Sequence, residues 1–560
     1  MSVLISALVI IVAWLPLQLV RLLRTLQLRG PTVVRLRLGS RGPASSSARA
    51  QHNALLRELA KDSRVEVLFV RLEALPGGWA ELQELRAALS AVRDSGKQVV
   101  VYMEQASNGG LYLASAASTV WMPPVGDLFL SGLGGRLTFF GTLLERLGVQ
   151  VDFMAAGDYK SFGETFTRSF ASEANREQLS ALYGDLQDQL IDGIAAGRGL
   201  ERDAVAAMLG QSPLSAAAAK KAGLIDDTRY SDQLQPGLES LLDEEDVRVI
   251  RFGGYRRWLR AERWLAALGR RRDLVAVVHL EGSIVLGGDG RQARRIESRA
   301  VVPVLRRLRD DERVRAVVLR VDSGGGSALA SDLIAREVRK LGEEKPVIAS
   351  FGNIVASGGY YLSVVARELI AQRGTITGSI GVFGGKIVAS GPLARIGVTG
   401  DHVEVGPDVG FLGPWRAFSD EQRVRFRAYL DETYALFLSV VAGGRRCPVS
   451  AIEPAAGGRI WTGQQAQERS LVDHFGGLPL ALQRARLLAG LGARQGHVVH
   501  LDFTPSRFQT LSSLASGQTR LSAADLALSA AGPHAELVRL LRAQPGQALA
   551  LSPWVLEDLD

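Results

Sequence analysis

The 560-residue sequence holds one cysteine, Cys447, and only seven histidines. A single cysteine excludes an internal disulfide framework. Neither an H-E-x-x-H motif nor a paired Cys/His spacing occurs, so no zinc site is expected. The phosphate-binding G-x-x-x-x-G-K-[ST] and the hydrolase G-x-S-x-G motifs are absent as well. We therefore expect no metal and no cofactor.

The net charge is also small for a chain of this length. Lys and Arg together number 66 against 58 for Asp and Glu, a formal net charge of +8, and the arginines are scattered along the chain. This pattern favours a solubility or membrane-surface role over a nucleic-acid partner. The length and the 47% hydrophobic content predict a globular protein of two or more domains.

The chain opens on an uncharged apolar run, VLISALVIIVAWLPLQLV, at residues 3–20. Its length is close to the roughly 20 residues that span a bilayer as a helix, and no small-x-small cleavage site follows. We predict an N-terminal membrane anchor over residues 1–25; an amphipathic or buried helix is the alternative. Arginines follow the run, and the positive-inside rule would keep the body cytoplasmic.

Two stretches of the chain repeat one pattern. NGGLYLASAA aligns with SGGYYLSVVA at an offset of 249 residues, which sets Asn108 opposite Ser357 and Lys160 opposite Val409. Both halves alternate short β-branched runs with amphipathic segments, as strands and helices of α/β layers do. We predict repeats at 30–250 and 273–490, a basic linker at 251–272, and a loop-rich extension at 491–560.

Ser357 stands between a predicted strand and a predicted helix, in NIVASGGYY. The first N–H groups of a helix have no internal acceptor, so the Gly358 N–H is free to bind an anion. A second turn, DSGGGS at 322–327, contains Gly325 and also follows a strand. Two backbone donors beside a hydroxyl are the parts of an oxyanion hole, although such glycine turns are also common without any function.

A nucleophilic serine needs a base, and none of the histidines lies in these motifs. A lysine can serve instead, because burial disfavours its charged form. The stretch AGDYKSFGE at 156–164 offers Lys160 after an apolar strand. A lone lysine in a loop is more often solvated, so this residue alone decides nothing.

Four motifs together resemble the signal peptide peptidase family, also called protease IV, in its long two-repeat form. They are ASGGYY, GDYKSFGE, TGSIGVFG at 377–384 and GRIWTGQQAQERSLVDHFGG at 458–477, and the similarity runs over about residues 30–490. The resemblance implies an α/β fold of two tandem Clp protease/crotonase-like repeats after an N-terminal transmembrane helix. It also implies a membrane-bound serine endopeptidase that cleaves remnant signal peptides and other apolar peptides.

The resemblance also implies roles for particular residues. Ser357 would be the nucleophile and Lys160 the general base. Ser379 would orient the lysine, while Gly358 and Gly325 would supply the oxyanion N–H groups. The family further implies a homo-oligomer, a tetramer. It also implies a catalytic body on the periplasmic side of the bacterial inner membrane, whereas the arginines after the apolar run indicate the cytoplasmic side.

The sequence departs from the family in one turn, where Gly324 replaces the usual proline and loosens the backbone. The two repeats have lost complementary residues, because Asn108 stands where a serine would and Val409 where a lysine would. This is expected if one Ser–Lys site is shared across the repeats. A crotonase-like hydratase, which would use glutamates as acid and base, and an inactive membrane scaffold of the same fold are the alternatives.

Overall fold

A computed structural model of the chain describes residues 32–39, 45–75, 77–245, 247–267, 273–287, 295–401, 406, 408–493, 495–503 and 549–551. The predicted anchor at residues 1–25 lies outside these ranges. Over the described ranges, no single helix has the length and apolar character needed to cross a membrane. One pair of helices bent by 93°, Asp420–Arg445 with Val449–Ala455, meets the test by length and composition only.

The strands and helices alternate along most of the chain. The strands are β1 (Thr32–Leu38), β2 (Val65–Leu72), β3 (Gln98–Met103), β4 (Gln105–Ala106), β5 (Thr119–Met122), β6 (Asp127–Leu128), β7 (Gln150–Ala156), β8 (Leu214–Ser215), β9 (Asp227–Thr228), β10 (Arg248–Arg251), β11 (Leu274–Glu281), β12 (Ser283–Val285), β13 (Arg295–Glu297), β14 (Val314–Ser323), β15 (Gly325–Ser327), β16 (Val347–Ala356), β17 (Glu368–Ala371), β18 (Ile376–Gly378), β19 (Val382–Val388), β20 (Ile460–Thr462), β21 (His474–Phe475), β22 (His497–Asp502) and β23 (Leu549–Leu551). The α-helices are α1 (Ser46–Ala60), α2 (Trp79–Asp94), α3 (Asn108–Ala114), α4 (Gly141–Leu147), α5 (Glu164–Thr167), α6 (Glu173–Arg198), α7 (Arg202–Met208), α8 (Ala216–Lys221), α9 (Leu234–Leu242), α10 (Phe252–Ala267), α11 (Ser298–Asp310), α12 (Ala328–Glu344), α13 (Gly358–Ser363), α14 (Ser390–Arg395), α15 (Asp420–Arg445), α16 (Val449–Ile452), α17 (Gly463–Glu468) and α18 (Leu478–Leu488). Short 3₁₀ turns lie at Ser161–Gly163, Ser231–Gln233 and Glu453–Ala455.

The described residues form two compact units. The first unit takes the residues up to Leu133 and those from Gln187 to the end of α10. The second unit takes Gly134–Leu186 together with the residues from Asp273 onward. Residues 134–186, which the sequence assigns to the first repeat, therefore fold with the second.

The first unit is built on a parallel sheet in the order β10-β1-β2-β3-β5-β9. Its strands are apolar almost throughout, as in VEVLFVRL of β2, because helices cover both faces of a parallel sheet. Helix α10 occupies the segment predicted as a linker. It begins on buried Phe252, and the hydroxyl of buried Tyr255 donates to Asp62.

The main sheet of the second unit follows the order β20-β18-β16-β14-β11-β22. Its pairs are parallel except β18 with β20, and its central strands are buried nearly end to end. Strand β22 lies in the segment for which the sequence predicted loops. Its VVHL core pairs with β11 at the sheet edge, where only one side of a strand needs a partner.

A second sheet of this unit includes a strand from the first repeat. In the order β13-β12-β15-β23-β19-β7, strand β7 pairs antiparallel with β19 along all of its residues, from Val382 opposite Ala156 to Val388 opposite Gln150. Asp152 within β7 is buried. It accepts two hydrogen bonds from Arg423, at 2.6 and 3.0 Å, and one from the Phe418 N–H at 3.0 Å. These contacts fasten β7 to the second unit.

We expect Asp152→Ala to lower the free energy of unfolding by about 2 kcal/mol, since it leaves a buried N–H and a guanidinium without their acceptor. Arg423 reaches solvent, which keeps the loss below that of a fully buried pair. Asp431→Ala is the matched control, because its pair with Arg427 is exposed on the same helix and contributes less than about 1 kcal/mol. Equal losses in denaturant titrations of the two variants would contradict this account of β7.

Candidate active site

Ser357 lies at the turn between strand β16 and helix α13, as the sequence predicted. Its side chain is fully buried, and its backbone has φ 54° and ψ −119°, a region that residues other than glycine rarely adopt. Such a conformation costs about 1–3 kcal/mol and persists only where the surroundings impose it. Here the Ser357 N–H donates to the Gly378 carbonyl at 2.8 Å.

Lys160 lies in the turn that follows β7. Its N–H donates to the Gly157 carbonyl at 3.2 Å, and the preceding Tyr159 N–H donates to the Gly457 carbonyl at 2.9 Å. Only 4% of Lys160 is exposed. The loop lysine is therefore a core residue and not a solvated one.

The Lys160 amine meets both site serines. Its Nζ lies 2.7 Å from Oγ of Ser357, 2.9 Å from Oγ of Ser379 and 3.0 Å from the Ser379 carbonyl oxygen. Burial lowers the pKa of Lys160 well below its usual range, because the charged form loses its water. The structure thus brings together the three side chains that the resemblance singled out.

Ser379 follows strand β18 and also has a positive φ, of 50°. Its N–H donates to the Arg459 carbonyl at 2.7 Å, and the next residue, Ile380, accepts from the Gly458 N–H at 2.8 Å. The Gly457–Arg459 turn thereby fixes the backbone that carries Ser379.

The two predicted oxyanion donors differ in their present contacts. Gly358 is the first residue of α13, so its N–H has no acceptor within the helix. Gly325, with φ 108°, donates its N–H to Oγ of Ser323 at 3.1 Å. A serine bond to the N–H two residues on is a local competitor for that donor, and here it engages the N–H that the resemblance assigns to the oxyanion hole.

Sequence reasoning gave no role to the glycine pair Gly457–Gly458, which packs directly on the lysine loop. A Cβ atom at Gly458 would lie 2.7 Å from the backbone N and Cβ of Lys160. One at Gly157 would lie 2.4 Å from the Gly457 carbonyl carbon. In the sequence, the pair could have been noticed as two adjacent glycines just before the RIWTG segment. Both glycines have positive φ in the structure.

The counterparts of the dyad in the other repeat make different contacts. Asn108 begins helix α3 in the first unit, and its Nδ2 donates to the Gly132 carbonyl at 2.9 Å. Val409, in the second unit, is 46% exposed. Neither position carries a group able to attack a carbonyl or to accept a proton.

This geometry sets a buried serine hydroxyl beside an amine and not beside a histidine. Among the described residues, no histidine bonds to Ser357; His279, for example, contacts His500 at 2.9 Å. A buried hydroxyl here lies within hydrogen-bond distance of an amine whose pKa burial lowers, which is the arrangement that a nucleophile and its base require. The fold and the site therefore define an α/β enzyme of the serine hydrolase class.

Comparison with known proteins narrows the class to a family. The model of peptidase family S49 matches residues 91–244 and 339–492, more than half of the chain. The chain therefore belongs to peptidase family S49 and is a serine protease with two repeats of that family. This membership decides against the hydratase alternative.

Relatives named as proteases align with most of this chain. The chloroplastic serine protease SPPA of Arabidopsis thaliana is 32% identical over 77% of this chain and 64% of its own length. Protease 4 of Salmonella typhi is 30% identical over 86% of this chain and 80% of its own length. Protease 4 of Haemophilus influenzae is 29% identical over 80% and 73%. The chain thus spans a little under two thirds of the chloroplast relative and more of the bacterial ones.

We expect Gly458→Ala to lower proteolytic turnover at least tenfold, because the new methyl group displaces the Lys160 backbone and the residue has φ 82°. Gly443→Ala is the matched control: it lies in helix α15 with nothing within 4 Å of the added Cβ, and should keep turnover. Peptide hydrolysis and thermal melting measured on both variants test this. Wild-type turnover in Gly458→Ala would show that the turn does not position the lysine.

Proposed function

We propose that this protein is a Ser–Lys dyad endopeptidase that hydrolyses remnant signal peptides and other apolar peptides. Ser357 is the nucleophile in this proposal, and Lys160 is its general base. The observation that carries it is the 2.7 Å contact between Lys160 Nζ and Ser357 Oγ inside a buried site.

The hydrogen-bond capacity of a neutral amine fits the three contacts of Lys160. Neutral –NH₂ has two donor hydrogens and one lone pair. The lone pair can accept from the Ser357 hydroxyl while the two hydrogens donate to Oγ and the carbonyl oxygen of Ser379. Ser379 thus has the role of aiming the lone pair. A charged –NH₃⁺ would have no lone pair left for the hydroxyl proton.

The proposed reaction has two halves. Lys160 takes the hydroxyl proton as Ser357 Oγ attacks the scissile carbonyl, and the protonated amine then gives that proton to the leaving amine. A water molecule, deprotonated by the same lysine, then attacks the acyl-enzyme, and the lysine returns that proton to Ser357 Oγ as the bond between Oγ and the acyl carbon breaks. Gly358 and Gly325 N–H groups stabilise the oxyanion in both halves. For this, the Gly325 N–H must turn from Ser323 towards the substrate.

We propose that substrate peptides bind as an added strand. In this chain, β23 pairs antiparallel with β15, with Ala550 opposite Gly326, and it also pairs with β19 through Leu549 opposite Phe383. Both β15 and β23 lie against helix α13, which follows the nucleophile. An extended peptide in the place of β23 would gain main-chain hydrogen bonds without regard to its sequence.

Apolar side chains around this strand position support a preference for apolar peptides. Val285 of β12 and Phe383 of β19 are buried in one cluster with Phe166. Phe162, two residues after the lysine, packs on Phe383 with ring centroids 5.0 Å apart. An open cavity of about 850 Å³ adjoins this cluster through Phe166 and Val151.

Signal peptides are released in membranes, which gives the predicted anchor at residues 1–25 a role in this proposal. It would hold the protease beside its substrates, with the catalytic body on the periplasmic side of the inner membrane. A homo-oligomer, a tetramer in the family, completes the proposal.

The dyad predicts a single rising limb of kcat/KM with pH, through the lowered pKa of Lys160, because only the neutral amine accepts the serine proton. Lys160→Arg should be as inactive as Lys160→Ala, since guanidinium stays protonated. Lys97→Arg is the control, as a second lysine whose pKa burial lowers, in the first unit.

Two measurements check these effects. One is the rate of peptide hydrolysis as a function of pH, and the other is fluorophosphonate labelling of Ser357, read by mass spectrometry. Substantial turnover in Lys160→Arg would remove Lys160 from the mechanism. Labelling at another serine would rule out Ser357 as the nucleophile.

The strand proposal predicts that β23 and substrate compete. Ala550→Pro removes an N–H and restricts φ in the middle strand of a sheet, so it should weaken β23 pairing. We expect it to lower the KM for an apolar peptide several-fold with kcat unchanged. Ala550→Val keeps the N–H and favours strands, so its KM should equal or exceed that of the wild type. An unchanged KM in Ala550→Pro would contradict binding at this position.

A further inference from the structure

Gln178 is a buried glutamine on helix α6 whose side chain reaches the lysine loop from behind. It is 1% exposed. Its Nε2 donates to the Tyr159 carbonyl at 3.2 Å and to Oγ of Ser161 at 3.0 Å. Tyr159 and Ser161 are the two chain neighbours of Lys160, so one amide group holds the loop on both sides of the base.

The carbonyl oxygen of the Gln178 amide contacts strand β20. Oε1 of Gln178 accepts from the Ile460 N–H at 3.3 Å. Ile460 lies directly opposite Gly378 in the β18–β20 pair, and the Gly378 carbonyl accepts the Ser357 N–H. The contacts of Gln178 therefore extend from the base loop to β20, the strand that pairs with the acceptor of the Ser357 N–H.

The amide itself is held in orientation. Nε2 also lies 3.2 Å from Oδ1 of Asn175, one turn earlier on α6, and Asn175 Nδ2 donates to Glu164 at 3.1 Å. Two amide hydrogens thus face three acceptors, and the carbonyl end faces a donor, so flipping the amide would set Oε1 against oxygen atoms.

We propose that Gln178 is a positioning residue for the reaction, fixing the distance between Lys160 and Ser357 and closing the lysine loop against water. This role rests on the Ser–Lys mechanism proposed above. Gln178 touches neither reacting atom and acts through the loop and through strand β20.

Losing Gln178 should have two effects, and each changes a different kinetic measurement. A loosened loop misplaces the amine, which lowers kcat more than it changes KM. A loop that admits water also removes part of the desolvation that lowers the lysine pKa, so that pKa moves up towards its ordinary value. The neutral fraction at a given pH then falls, and the rising limb of activity moves to higher pH.

The test compares Gln178→Met with the wild type, because methionine keeps the volume and removes every hydrogen bond. At neutral pH we expect kcat to fall about tenfold or more with KM changed less than threefold. The rising limb should shift to higher pH, so that part of the loss recovers in alkaline buffer. Gln178→Leu also removes every hydrogen bond without adding a charge, and should shift in the same direction; it serves if the methionine variant fails to fold.

Gln189→Met is the matched control. Gln189 is on the same helix, is 8% exposed and accepts from Gln83 at 2.8 Å, with both residues in the first unit. Its pH profile should equal that of the wild type whatever the change in melting temperature.

The possible outcomes distinguish the positioning role of Gln178 from the Ser–Lys mechanism on which it rests. A folded Gln178 variant with the limb unmoved, even if it melts earlier, would reduce Gln178 to a structural residue and overturn the proposal. Activity in Lys160→Arg would instead overturn the dyad, while an inactive Lys160→Arg beside an unshifted Gln178 variant would leave the dyad standing without Gln178.

Discussion

The proposed mechanism depends on keeping the Lys160 amine uncharged. Burial lowers the pKa of Lys160, and in the part of the chain described no carboxylate pairs with its amine. A negative group nearby would restore the charged form, and water would do the same by solvating it. The neighbours of the amine are accordingly hydroxyl and carbonyl oxygens of Ser357 and Ser379. Neutral oxygen partners orient the amine without holding a proton on it.

The packing around the strand that leads to Lys160 suits this requirement. Strand β7 is paired along its full length with β19, and its turn is closed by the Gly457–Gly458 pair and by Gln178. Each of these contacts removes space or water from around Lys160. With Lys160 supplied by residues 134–186, the proposed site needs no second lysine at Val409. The complementary losses seen in the sequence are therefore compatible with a complete set of site residues inside one compact unit.

The sequence was sufficient to predict which three side chains meet at the site, and their roles in the reaction remain part of the proposal. The turn around Ser357 could be predicted from an apolar strand, a serine and two glycines, and Lys160 and Ser379 from motifs in fixed order. Gln178 could not, because nothing local distinguishes a buried glutamine from the solvated ones on the same helix; only the fold brings it beside Tyr159 and Ile460. Strand β23 was missed for a similar reason, since three residues acquire strand character only from the partners β15 and β19.

Backbone strain at the two serines follows from the same arrangement. Ser357 and Ser379 both have positive φ, at a cost of about 1–3 kcal/mol each. The Ser357 N–H is held by Gly378, and the Ser379 N–H by Arg459, so the β18–β20 region restrains both. A relaxed backbone at either serine would turn its hydroxyl away from the shared amine. The strain is thus the local cost of directing two hydroxyl groups at one nitrogen atom from two separate turns of the chain, and the hydrogen bonds to the Gly378 and Arg459 carbonyls offset it.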